Sequence, residues 1–272
     1  MKYSLAQLTV LNTSPVEISQ IAADCGYDYV SFRQIYMGLP GEPDYDLAKN
    51  KQLMADTKAV FADTGIKLLD VELARIYDDM DVYAYENALI TAAELGGKYV
   101  LSSIWTKNRD YAIERFAELC DLAAKYELTV ALEYVPVAGV HTLAQAMDVL
   151  DMAHRNNAGL MPDMYHFSRA KDQVEDLRKI PANRFTFAHL CDAPAAIPED
   201  RDDLTNEMRN GRLYVGEGGI NIASILNAIP MVPYSIELPN SKRVAKYGYK
   251  EHARRCLETA KAYCNANVSG RK

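Results

Sequence analysis

Short apolar runs rich in Val, Ile, Leu and Tyr alternate along this chain with longer segments of helical period, and that alternation leaves few folds open. A run of β-branched and aromatic residues suits a strand buried on both faces, and amphipathic helices must cover one of those faces, so repeated βα units build a parallel sheet. The strand candidates are Tyr3–Val10, Tyr27–Phe32, Lys67–Leu73, Lys98–Ser103, Leu128–Val135, Gly159–Asp163, Arg184–Cys191 and Val232–Leu238. Among the helices between them are Leu47–Asp63, Val82–Leu95, Asp110–Tyr126 and Leu143–His154. Ser14-Pro15 with Glu17 opens the first helix, and Cys25-Gly26, Thr64-Gly65 and Leu95-Gly96-Gly97 close helices with a residue that tolerates a left-handed backbone.

Eight units at a repeat of roughly 25 to 35 residues match the length of a (β/α)8 TIM barrel. The expected organisation is one α/β barrel over residues 1–264 and a flexible C-terminal tail over 265–272. A doubly wound open sheet is the rival, but no G-x-G-x-x-G follows a first strand to form a nucleotide crevice. Asp192–Gly219, rich in Pro, Asp, Asn and Gly, reads as a long loop after strand seven, and loops at that end of a barrel usually serve the site. Within it, Gly216-Glu217-Gly218-Gly219 lacks the lysine and hydroxyl of a phosphate loop and reads as a tight turn.

Charge narrows the partners. A formal net charge of −7 repels a phosphate backbone, so neither nucleic acid nor an anionic membrane is expected, and a small neutral or cationic ligand is easier to accommodate. No stretch approaches the length of an apolar spanning helix. The five cysteines are odd in number and contain no C-x-x-C, which argues against a disulfide framework or a zinc knuckle and for a reducing cytoplasm.

Four strand ends carry a polar residue where the apolar run stops: Glu133 on strand five, Asp163 on strand six, His189 on strand seven and Glu237 on strand eight. In a closed parallel barrel such ends converge on one mouth. Taken singly, each carboxylate is more often a helix cap or a surface charge. Taken together, several buried like charges call for a cation, and three carboxylates with one imidazole suit one divalent ion, Mn²⁺, Mg²⁺, Co²⁺ or Zn²⁺. His166 stands just past strand six, either to touch substrate or as a satisfied loop histidine. Arg33 ends strand two and points to the same mouth, to hold a substrate oxygen or to pair with a carboxylate. Arg212 can reach the site from the long loop, whereas Glu72 and Trp105 fit ordinary pairing or packing better than a place in the pocket. His141, His154 and His252 read as surface residues.

Gly26 to Arg33, Ala131 to Val135, Asp163 to Phe167, His189 to Ala193, Arg212 to Ile220 and Ser235 to Leu238 carry a resemblance over essentially the whole chain. The sequence resembles the xylose-isomerase-like barrel superfamily of sugar isomerases and epimerases, and within it the inosose isomerase group. The resemblance implies that Glu133, Asp163, His189 and Glu237 are the metal ligands. It implies further that Glu133 and Glu237 double as the acid/base pair, that His166 touches substrate, and that Arg212 occupies a family arginine position. One departure is Ala195, which stands where the ketose 3-epimerases of the superfamily carry an arginine.

The chemistry so implied is isomerisation or epimerisation of a keto-sugar or keto-inositol through an enediolate, with carboxylates moving the proton. The same enediolate can instead expel a β-hydroxyl or a glycosidic group, which makes a lyase of the dehydratase type the alternative. An apurinic-site endonuclease would need more histidines than five and a basic groove. A non-catalytic binding barrel would not need intact ligands. The resemblance also suggests a homo-oligomer.

Overall fold

The computed structural model describes residues 1–38 and 42–268. Its strands are β1 (Tyr3–Ala6), β2 (Tyr29–Arg33), β3 (Lys67–Ile76), β4 (Tyr99–Ile104), β5 (Thr129–Glu133), β6 (Ala158–Leu160), β7 (Ala188–Leu190) and β8 (Tyr234–Ile236). All pair in parallel in the order β6-β5-β4-β3-β2-β1-β8-β7. The ring closes between β6 and β7 through the bridges Leu160↔Phe185 and Asp163↔His189, which rest on two backbone hydrogen bonds, Thr186 N to Leu160 O (3.1 Å) and His189 N to Pro162 O (3.1 Å). The expected (β/α)8 barrel is therefore the fold.

The helices are α1 (Pro15–Cys25), α2 (Lys51–Thr64), α3 (Glu86–Glu94), α4 (Arg109–Ala124), α5 (Leu143–Ala153), α6 (Met164–Arg169), α7 (Val174–Leu177), α8 (Arg201–Asn210), α9 (Ile222–Leu226) and α10 (Ser241–Asn267). The local chemistry behind α1 is complete. The Ser14 hydroxyl accepts from Glu17 N, the Glu17 carboxylate accepts from Ser14 N, and Gly26 ends the helix at φ +84°. Residues 269–272 of the expected tail lie outside the described residues.

Two expectations need correction. Gln7–Val10, read as the end of the first strand, forms a 3-10 turn, because Thr9 and Gln7 turn their polar groups inward, onto Ile236 O and Thr13 O. The long loop after strand seven holds α8. Asp200 caps it by accepting from Asp202 N and Asp203 N, and Leu204 and Met208, one turn apart, pack on the core.

The barrel interior is divided. Leu69, Leu101, Ala131, Met161 and Phe187 form a closed apolar cluster toward β3 to β7, apart from the larger core between strands and helices. Toward β8, β1 and β2 the interior is polar. Ser31 donates to Asp70 and lies 3.0 Å from the Ser4 hydroxyl and 3.3 Å from that of Ser235, all four being fully buried. β3 carries one extra residue, Leu69, opposite Val30 and Ser31, and this bulge brings both Leu69 and Asp70 to the interior side.

Candidate metal centre

Each of the four strand-end residues reaches the mouth by a different local device. Glu133 is the last residue of β5. Asp163 ends the short run after β6 and caps α6, its Oδ1 accepting from Tyr165 N (2.6 Å) and His166 N (3.1 Å). Its cap role and its site role thus use different oxygens, since Oδ2 faces His189 and Arg212. His189 is the middle residue of β7, and Glu237 directly follows β8. One donor atom from each of the four lies within 4.8 Å of all the others, and all four residues are buried.

His189 organises the cluster. Its Nδ1 stands 3.3 Å from Glu133 Oε1, 3.5 Å from Glu237 Oε2 and 3.6 Å from Asp163 Oδ2. None of these approaches has hydrogen-bond direction, so Nδ1, Nε2 and Glu133 Oε1 are buried without a hydrogen-bond partner. Atoms of that kind are costly to bury unless another group uses their lone pairs. Burial alone would lower the His189 pKa. The Glu237 charge and the nearby Asp163 and Glu133 carboxylates outweigh it and hold the imidazole well above its ordinary value.

Arg212 completes the electrostatics. It is 1 % exposed, donates to Asp163 Oδ2 at 2.7 Å, and pairs with Glu237 Oε2 at 3.1 Å. Against burial, which would raise them, the charges of Arg212 and His166 lower the Asp163 pKa, and those of His189 and Arg212 bring Glu237 to about 2. Asp192 sets where Arg212 lies. Its backbone exchanges hydrogen bonds with Leu213 (3.0 and 2.8 Å), and its carboxylate accepts from the N–H groups of Gly216, Gly218 and Ile220. The glycine run is a turn, as expected, and it does hold an anion, the chain's own. A Cβ at Gly218 would lie 2.2 Å from Ala193 O, which explains the glycine there.

A cleft over the cluster is lined by Glu133, His166, Arg212 and Glu237, and by Arg33, Glu72, Arg75, Trp105, Met208 and Arg209. His166 is buried, with Nε2 at 3.7 Å from Glu133 Oε1 and Nδ1 unpartnered. Arg33 lines the cleft and is paired with Glu42 (2.9 Å) and Glu72 (3.6 Å), so of its two expected roles the pairing with a carboxylate is the one the structure holds. Glu72 and Trp105, read as ordinary pairing or packing, both line the cleft, although Glu72 pairs with Arg33 and Trp105 Nε1 donates to Ser103. Burial raises the Glu72 pKa to about 8 and that of Asp70 to about 7.

His252 is not a surface residue. It is fully buried, with Nδ1 3.0 Å from the Tyr214 hydroxyl and Nε2 3.1 Å from Leu238 O. The partners lie 38 and 14 residues away in sequence, so only the packing of α10 brings them together. Sequence reasoning also missed Asp70, Arg75 and Arg209. An aspartate inside an otherwise apolar strand run was the available signal for Asp70.

A family model described as Xylose isomerase-like TIM barrel matches residues 19–259. The chain is similar to inosose isomerase of Bacillus velezensis, 26% identical over 290 residues, spanning 99% of this chain and 98% of that protein. It is also similar to 3-dehydroshikimate dehydratase of Pseudomonas aeruginosa, 24% identical over 264 residues, spanning 92% of this chain and 39% of that protein. The crystal structure of the IOLI protein with a binding zinc atom superposes with a TM-score of 0.83 at 23% identity, covering 99% of this chain and 100% of that one, a likeness of fold. No described helix is long and apolar enough to cross a membrane.

Proposed function

The chain belongs to the xylose isomerase-like TIM barrel family, and from that premise we propose that it is a divalent-metal-dependent isomerase or epimerase of a keto-sugar or keto-inositol. The observation that carries the reading is the buried cluster of Glu133, Asp163, His189 and Glu237 at the barrel mouth. Its donors fit a divalent ion, because Glu133 Oε1 and His189 Nδ1 are buried with no hydrogen bond of their own, and three carboxylates supply the opposing charge. The bound zinc of the IOLI protein, a neighbour of the same fold, supports a metal requirement, while the donor set is compatible with Mn²⁺, Mg²⁺, Co²⁺ or Zn²⁺. When bound, such an ion polarises a carbonyl and acidifies the neighbouring C–H.

The chain's own groups do the rest. Glu133 and Glu237, from β5 and from the end of β8, remove and return the proton, so that an enediolate separates the two steps. His166 and Arg33 hold substrate oxygens in the cleft. Arg212, tied to Asp163 and Glu237, keeps both carboxylates ionised and oriented. The inosose isomerase relatives support this reaction class. The dehydratase relative supports a second reading, in which the same enolisation ends by expelling a β-hydroxyl.

The test is metal analysis of the purified protein, followed by NMR in D₂O with keto-inositols, ketoses and 3-keto-glucosides. Bound metal with solvent deuterium entering a C–H beside the carbonyl, at unchanged skeleton, is the expected result. Loss of water or of an aglycone would replace the isomerase by the lyase reading. Protein that takes up no metal after reconstitution, or exchanges neither these compounds nor their acidic counterparts, would refute both.

A further inference from the structure

Two arginines of the cleft are left without a partner among the described residues. Arg75, partly buried near the end of β3, and Arg209, exposed at the end of α8, make no ion pair, side-chain hydrogen bond or ring contact among the described residues, yet both line the cleft over the carboxylate cluster. Every other arginine of the described residues has a carboxylate or a carbonyl oxygen to bind. The chain has 37 acidic residues against 30 Lys and Arg, so partners are plentiful, and the two exceptions fall in one place.

The cleft's other two arginines differ. Arg33 is held by Glu42 and Glu72, and Arg212 by Asp163 and Glu237. Their charge is matched within the protein. That of Arg75 and Arg209 is open to a ligand, and a guanidinium fork suits the oxygens of a carboxylate or phosphate. In the ring order, β3 lies across the barrel from β7, which carries His189, so Arg75 and that imidazole stand on opposite walls of the mouth.

We propose that Arg75 and Arg209 recognise an oxyanion, carboxylate or phosphate, at the end of the substrate remote from its carbonyl, which makes the substrate an acidic keto-polyol. The inference rests on the reading of this cleft as the substrate site. It reverses the expectation from net charge, because the field at a cleft is set by the charges that line it and not by the sum over the chain.

The test separates binding from turnover. Trp105 is the only tryptophan and lines the same cleft, so its fluorescence, with calorimetry beside it, reports occupancy. Protein supplied with Mg²⁺ is titrated with sorbitol, gluconate and sorbitol 6-phosphate, which share a polyol chain and differ at its end. At least one anion is expected to bind roughly tenfold or more tighter than sorbitol, and Arg75→Gln and Arg209→Gln each to remove about threefold or more of that preference. The tighter of the two anions identifies the oxyanion. Equal affinity for all three compounds, or a preference that survives in the double variant, overturns the inference. Deuterium exchange is followed in parallel with fructose and fructose 6-phosphate. No exchange with either, while the anion preference and its loss in the variants persist, would remove the proposed reaction and leave the arginine site standing.

Discussion

Arg212→Met tests whether the guanidinium and a divalent ion neutralise the same carboxylates. Arg212 is the cation nearest Asp163, at 2.7 Å, and it also pairs with Glu237 at 3.1 Å. Removing one partner of a buried charge pair costs about 3–5 kcal/mol, because the other is left uncompensated. With an unfolding entropy of about 2.1 cal/mol/K per residue, 272 residues give about 0.57 kcal/mol/K, so the metal-free variant should melt about 5–9 °C below the parent protein. A bound ion adds two positive charges to the same cluster. In saturating divalent metal the difference should therefore shrink to half or less. The assay is calorimetric melting of both proteins, each in chelator and in metal. Equal melting temperatures in chelator would show that Arg212 does not compensate the cluster. An identical loss under both conditions would show that the ion and the guanidinium act on different charges.

Three further outcomes follow from the geometry. Glu133→Gln and Glu237→Gln should each slow solvent deuterium exchange by roughly 10²- to 10⁴-fold, and exchange within a few-fold of the parent rate in both would remove these residues from proton transfer. In metal-free protein Asp70 binds its proton more tightly folded than unfolded, since burial raises its pKa from 3.8 to about 7. Its stabilising contribution is thus complete below the unfolded pKa and lost as pH rises through about 7, so Asp70→Asn should flatten the fall in melting temperature between pH 5 and 8. An unaltered slope would rule Asp70 out as its source. Phe187 packs its ring 5.3 Å from that of Tyr99 and 5.7 Å from that of His189, and Phe187→Ala should cost about 3–5 kcal/mol in urea unfolding. A loss below about 1 kcal/mol would mean that the apolar half of the interior closes over the gap.

What the sequence made legible were the features with a local cause. The alternation of strand and helix follows from which faces must be covered, and the Ser14 box and Gly26 stop are decided within a few residues. The four strand-end residues could be found because parallel strands in a closed barrel must bring their ends together. Features fixed by distant partners were not legible. α8 is short and carries only two apolar residues, Leu204 and Met208, so beside that one-turn stripe only its Asp200 cap marks it. Gln7–Val10 has strand-like composition, but Thr9 reaches Ile236 across most of the chain. His252 looks like a surface residue until α10 packs it against Tyr214 and Leu238. Arg75 and Arg209 stand out only once every other arginine of the described residues has been paired.

The seam between β6 and β7 gives the barrel a mechanical character. Elsewhere adjacent strands share three to five paired positions, whereas here two backbone bonds close the circumference, one of them made by His189 N. The barrel is therefore close to a split hoop whose two lips carry Asp163 and His189. Whatever grips both residues at once acts as a clasp, and its grip is felt as hoop tension on β5 and β8 as well, through Glu133 and Glu237. Breathing of the ring and release of whatever the four residues hold become a single motion, and local opening should concentrate where the chemistry is placed, with the rest of the sheet staying shut.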